Sequence, residues 1–173
     1  MLVLTNFEKW VTVVEPVDPT VLRDNALAQL VYYEPEVDGM TALTHVAQLE
    51  SWFWVDNVWE DLTEEDGQGG VNVEVVAAPL GLQWDPGDGS GTFPCPGPPI
   101  EWSRAANDAG TSCGYTFTSG TADETGLVYQ AQATIEWELT WSINGVDQGP
   151  FGGTPTSETL FEIPVGEVQI VES

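Results

Sequence analysis

Apolar and polar residues alternate without a break from Tyr129 to Ile143. The odd positions are Tyr129, Ala131, Ala133, Ile135, Trp137, Leu139, Trp141 and Ile143; the even ones are Gln130, Gln132, Thr134, Glu136, Glu138, Thr140 and Ser142. Unbroken period-two alternation over such a length specifies a long β-strand with one buried and one wet face. A helix would spread the same residues around its circumference and bury Glu136 or Glu138. Two tryptophans on the apolar face require a large apolar cover, so the pattern predicts a two-layer β protein.

The remaining elements fall around that strand. Met1 to Glu15 reads as one or two short strands burying Phe7, Trp10, Val11 and Val13, ended by Pro16. Asp18-Pro19 opens a helix, because Asp is a good N-cap and proline in the first turn forfeits no hydrogen bond. Leu22, Ala26 and Leu30 give it one apolar stripe over about three turns. Val31-Tyr32-Tyr33 predicts an extended return, closed by Pro35 and an Asp38-Gly39 turn.

Thr44 to Asp56 is strand-like. Its consecutive Trp52, Phe53 and Trp54 either bury both faces or bury one and offer the other to a partner. Asp61 to Gly70 reads as an acidic, glycine-ended loop, and Val71–Ala77 and Leu80–Trp84 as strand patterning around Pro79. Trp84-Asp85-Pro86-Gly87-Asp88-Gly89 ends that strand in a turn of glycine and Asx hydrogen bonding. Thr92 to Cys113 reads as a long connection with four prolines, and Tyr115-Thr116-Phe117 as a short strand. Asn144-Gly145 is a strong hairpin signal, followed by a Gly/Pro loop from Gln148 to Pro155. Ser157–Ile163 and Val165–Val171 close the chain as strands, with Pro164 forcing an edge position or a change of sheet. No internal repeat is present.

Composition narrows the function classes. The 173 residues suffice for one good core, and 42% hydrophobic residues with eight Trp exclude a disordered chain. Against 28 Asp and Glu stand only Lys9, Arg23 and Arg104, a formal net charge of −25. Phosphate backbones are bound by displacing counterions with Lys and Arg, so nucleic acid is excluded as a partner, and anionic membrane surfaces repel such a chain. Solubility, adaptation to salty or alkaline surroundings and repulsion between copies account for the acidity more simply than a basic or cation-bridged partner does.

Cys95 and Cys113 share no metal-ligand spacing, and His45 is the only histidine, so no zinc set can be assembled. A disulfide is favoured, which implies an oxidising, extracytoplasmic home; two reduced, buried thiols in a cytosolic protein are the alternative. No apolar run approaches the ~20 residues of a membrane span, so no direct membrane insertion is expected. Met1 to Leu4 is too short for the apolar region of a signal peptide. Export is therefore expected to rest on a signal or anchor that is removed, replaced or carried by a partner.

Candidate chemistry is sparse. Asp85 and Asp88 flank a glycine turn, but two carboxylates fall far short of the six to eight ligands of calcium, and turn capping is the better reading. Asp61, Glu64, Glu65 and Asp66 read as a solvated loop. No G-x-S-x-G elbow accompanies His45, and Gly87 to Gly91 lacks the G-K-[ST] of a phosphate loop. Glu136 and Glu138 share a strand face, as a glycosidase pair would, yet such pairs usually solubilise a wet face. Neither a cofactor nor a metal is expected. Trp84, Trp137 and Trp141 read as core, whereas Trp10, Trp52, Trp54, Trp59 and Trp102 include candidates for sugar stacking or a protein interface.

The WDPGDG turn at Trp84 to Gly89, with Tyr115 and the long strand from Tyr129, resembles the PKD (polycystic kidney disease) domain. Pro86 stands at that family's aromatic position, and Cys113-Gly114 replaces its histidine. The order of Trp52-Phe53-Trp54-Val55-Asp56, Cys95-Pro96-Gly97-Pro98, Cys113 to Phe117, Trp137 to Trp141 and Val165 to Gln169 is also similar to secreted or envelope proteins of high-GC Gram-positive bacteria. The resemblance implies an Ig-like β-sandwich outside the cytoplasm with its two cysteines paired.

The expectation is a mainly β protein: an Ig-like, PKD-like β-sandwich over residues 45–173, with a strand-helix-strand extension over 1–44. The implied role is a non-enzymatic extracellular structural, adhesion or protein-interaction module in a cell-surface assembly. Trp52, Trp54, Trp59 and Trp102 are its expected interface, beside a loop held by Cys95 and Cys113. A carbohydrate-binding module using exposed tryptophans is the alternative.

Overall fold

The computed structural model describes residues 16–37, 45–56, 59–97, 113–122 and 127–167. In chain order the elements are α1 (Pro19–Leu27), β1 (His45–Val46), β2 (Glu50–Trp52), β3 (Leu62–Gln68), β4 (Val71–Asp85), β5 (Phe93–Pro96), β6 (Gly114–Thr116), β7 (Tyr129–Ile143), β8 (Val146–Pro150), β9 (Thr156–Ile163) and β10 (Val165–Gly166). The protein is mainly β, as its patterning predicts. Met1–Glu15 and the Asp38-Gly39 turn lie outside the described residues, as do most of the Thr92–Cys113 connection and the chain after Glu167.

Two long antiparallel strands form the spine. β4 pairs with β7 from Val73↔Ile143 to Asp85↔Gln132. Tyr129, Ala131, Ala133, Ile135, Trp137 and Leu139 are buried, as their alternation requires, while Trp141 and Ile143 are half-buried. β4 keeps its apolar set on the same face only because its register shifts between Pro79 and Gly81. Val73, Val75 and Ala77 point inward at odd numbers, Leu82 and Trp84 at even ones, and Leu80 is put out at 50% exposure. Without that bulge, Trp84 would face water.

Each long strand carries two shorter partners along its outer edge. β4 takes β3 and then β5; β7 takes β9 and then β8. The β7–β8 reversal uses Asn144 (φ +48°) and Gly145 (φ +76°), the left-handed pair that a two-residue hairpin requires.

Three stretches read as loops contain strand. The acidic segment Asp61–Gly70 forms β3, because a tight reversal returns it onto the β-branched start of β4, and its backbone pairs from Leu62↔Ala77 to Gln68↔Val71. Carboxylates suit such an edge, since their charge discourages further strands from adding there. The Pro-rich stretch forms β5, where an edge position tolerates Pro94. The loop expected from Gln148 begins only after β8.

The inner face is covered in two parts. Over the β3 end lies α1, its first turn capped by Asp18, whose carboxylate accepts from the Thr20 amide at 2.9 Å. The helix is nine residues, shorter than its stripe suggests; Leu22 and Ala26 are buried within it and Leu30 just beyond. Arg23 lies against Trp141 and Phe151, 5.1 and 4.8 Å from the ring centroids. The extended segment 30–37 continues the cover. Residues 16–37 thus share one core with the strands.

Over the other end lie two small sheets, β2 with β6 and β1 with β10. They bring Phe53 to 5.3 Å from Trp84 and stack Phe117 on Tyr129 at 5.5 Å. Pro164 marks a change of sheet, from β9 in the large sheet to β10 beside β1. The Cys95–Cys113 disulfide, Cα to Cα 5.1 Å, staples β5 in the large sheet to this covering layer. His45 is buried between Phe53 and Phe117.

Candidate functional site

The tryptophans expected at an interface are largely core. Trp52 and Trp54 are 7% and 5% exposed, and Phe53 between them is fully buried. The run lies between the large sheet and its cover, so neither face of it is left for a partner. The expectation of an exposed stacking platform at Trp52 and Trp54 is corrected accordingly. Trp54 Nε1 donates to the Asp56 carboxylate at 3.0 Å. Trp59 is half-buried against the core, and Trp102 lies outside the described residues. Trp84 and Trp137 are fully buried, as expected.

The Trp84–Gly89 turn is internally committed. Asp85 Oδ1 accepts from the Gly87 amide at 2.9 Å and Asp88 Oδ1 from the Ser90 amide at 3.0 Å. Tyr115 OH donates to Asp88 Oδ2 at 2.7 Å, tying the turn to β6. Partial burial opposes ionisation of Asp88, but the hydrogen bonds from Ser90 and Tyr115 outweigh it and hold its carboxyl below the usual range. Among the described residues, no three His, Cys, Asp or Glu side chains converge as a metal set, and no helix is long and apolar enough to cross a membrane.

The features that do converge are elsewhere. A cleft of about 480 Å³ opens between the extended segment after α1 and the inner face of β9, lined by Tyr32, Tyr33, Glu34, Pro35, Glu36, Val37 and Thr159. Its wall is pinned at two points. Ser157 Oγ donates to the Tyr33 carbonyl at 2.7 Å while accepting from Trp137 Nε1 at 3.1 Å. The Asp56 amide donates to the Glu36 carbonyl at 2.8 Å.

Tyr32 and Tyr33 rest on Trp137, with ring centroids 5.4 and 4.8 Å away. Burial pushes both phenols above their ordinary value. Pro35 and Val37 are buried while Glu34 and Glu36 are exposed, the alternation of an extended chain laid on a sheet. Thr159 Oγ1 is withdrawn from water and has no hydrogen-bond partner.

β9 forms the other rim. It pairs with β7, and no other described strand pairs with it. Its outward side chains are Glu158, Leu160 and Glu162; Leu160 is 73% exposed. Gln132 and Gln130 of β7 donate to the Glu158 and Glu162 carboxylates. The site thus combines a strand edge, two aromatic rings and four carboxylates around one opening. Such a set can accept hydrogen bonds, pack a hydrocarbon stem and attract a cation.

Sequence reasoning did not find this cleft. Its halves are more than a hundred residues apart, and the available hint was the pair of tyrosines followed by Glu34-Pro35-Glu36. A smaller cleft of about 290 Å³, at Leu80, Glu138, Phe151 and Thr154, carries a single carboxylate. Comparison with protein-family models, curated proteins and solved structures finds no match to this chain.

Proposed function

We propose that this chain is a non-enzymatic protein-interaction module, PKD-like in type, working in an extracellular or cell-surface assembly. The observation that carries the reading is the β9 edge beside the acidic, tyrosine-lined cleft, on a sandwich stapled by a disulfide. Exposed strand edges are where sheets accept partners. The Cys95–Cys113 bridge supports an oxidising compartment, since such bonds are rare where thiols are kept reduced. A net charge of −25 keeps copies of the chain apart and leaves recognition to a partner of another kind.

A second reading, carbohydrate binding, is favoured by one observation: Tyr32 and Tyr33 are flanked by Glu34 and Glu36, and aromatic faces beside carboxylates suit sugar rings. One experiment separates the two. The folded protein is titrated with soluble cell-wall and plant oligosaccharides while its fluorescence is followed. In parallel, it is used to capture proteins from a cell-surface extract, with an E34Q/E36Q variant beside it. Capture of a defined protein that the variant loses, with no saturable response to sugars, is the expected result. A saturable sugar response that the variant abolishes would transfer the site to carbohydrate binding.

A further inference from the structure

We propose that the partner docks by adding an extended, lysine- or arginine-bearing strand to the free edge of β9, with one basic side chain entering the cleft beside Thr159. This rests on the reading of the chain as a protein-interaction module and names the chemistry of its partner.

The edge is eight residues long, roughly 26 Å at the usual rise per residue. It carries a regular side-chain pattern that an added strand would meet position by position. Opposite Glu158 and Glu162, on the wet face, the incoming strand meets carboxylates already oriented by Gln132 and Gln130. Between them it meets the 73% exposed Leu160, which calls for an apolar residue.

Opposite Thr159 the side chain turns inward instead, towards the cleft. There Tyr32 and Tyr33 can pack the hydrocarbon stem of a Lys or Arg, and Glu34 and Glu36 stand by for its charged head. Main-chain pairing supplies affinity in this mode of recognition, and alternate pockets supply specificity.

The charge decides the occupant. A second copy of this chain would bring a net charge of −25 to an acidic rim. Arg23, the one Lys or Arg among the described residues, is held between Trp141, Phe151 and Asp24. A basic strand from another protein fits the edge, the cleft and the charge together.

The test uses an eight-residue synthetic peptide of β-forming residues, with three lysines around a central valine, and the full disulfide-bonded chain. Binding is read by fluorescence anisotropy at low and at high salt. Two further peptides carry the same charges but are N-methylated along one backbone edge or along the other. A fourth replaces each lysine with glutamate.

The expected results are saturable binding of the parent peptide and none of the glutamate peptide. Binding should weaken by about tenfold or more in high salt, and again in E34Q/E36Q. It should be lost for one N-methylated peptide and kept for the other, because only one edge of the ligand can pair with β9. Equal binding of both methylated peptides would show charge attraction without strand addition and overturn the proposal. So would unchanged affinity in E34Q/E36Q, or no binding of the parent peptide at low salt. Capture of a surface protein by a chain that ignores all four peptides would refute the docking mode and leave the broader reading standing.

Discussion

Replacing Ser157 with alanine removes one hydroxyl and unpairs two groups at the wall of the cleft. Ser157 Oγ accepts from Trp137 Nε1 at 3.1 Å and donates to the Tyr33 carbonyl at 2.7 Å. Trp137 is fully buried, so its indole N–H would have neither a partner nor water, at a cost of about 1–3 kcal/mol. The Tyr33 carbonyl belongs to a half-buried residue and can recover water, so its lost bond adds only about 0.5–1 kcal/mol. S157A is therefore expected to destabilise the chain by about 2–3 kcal/mol. Urea unfolding followed by far-ultraviolet circular dichroism measures this directly.

The same argument predicts non-additivity. W137F removes the indole donor, so in W137F/S157A no buried N–H is left unpaired. The double variant should cost less than the sum of the singles, by about 1 kcal/mol. Hydrogen exchange supplies a local readout: amides of residues 30–37 should exchange faster in S157A, because one of the two pins of that segment is gone. If S157A stays within about 0.5 kcal/mol of the parent, or the two costs simply add, the hydrogen-bond relay does not hold the wall as argued.

Removing the disulfide as C95A/C113A should lower unfolding stability by roughly 3 kcal/mol in urea titrations, since the bond closes a loop of sequence separation 18 between the sheet and its cover; an unchanged midpoint would refute a stapling role. The two turn glycines should separate sharply in thermal melts. A Cβ at Gly87 (φ +78°) would lie 2.1 Å from the Gln130 carbonyl oxygen, so G87A should cost more than about 3 kcal/mol, whereas Gly89 (φ +84°) has open space and G89A should cost about 1 kcal/mol. Stability should also fall in alkali. Burial raises the phenols of Tyr32, Tyr33 and Tyr115 above their ordinary 10.0, with the Asp88 hydrogen bond adding to the rise at Tyr115. Folding therefore favours their protonated forms, and this contribution is complete below pH 10 and lost as pH rises through the folded values. A urea midpoint that stays flat up to pH 10 and then drops, less steeply in Y115F, is the expected profile.

How much was legible in advance depended on how local each signal was. The long strand from Tyr129 to Ile143, the Asp18 cap and the Asn144-Gly145 reversal were read correctly, because alternation, capping and left-handed turns are satisfied within a few residues. The strand patterning around Pro79 was visible too, although its bulge, which keeps Trp84 inside, shows only in the pairing with β7.

The misreadings share one cause. Leu62 to Gln68 looks like a solvated loop by composition and is a strand because β4 lies beside it. Trp52 and Trp54 look like spare aromatics and are core because a sheet covers one face of their run and other elements cover the other. The cleft joins Tyr33 to Ser157 and Thr159 across most of the chain, and no local pattern announces such a meeting.

The sequence alone therefore determined the β class, the spine strand, the helix start and the acidic character that favours a basic partner over nucleic acid. Only the tertiary structure decided which aromatics are hidden, which edge is free and where the carboxylates gather. The reason is physical: backbone preference and side-chain alternation act between near neighbours, whereas burial and edge exposure are set by whatever distant segment packs against a residue.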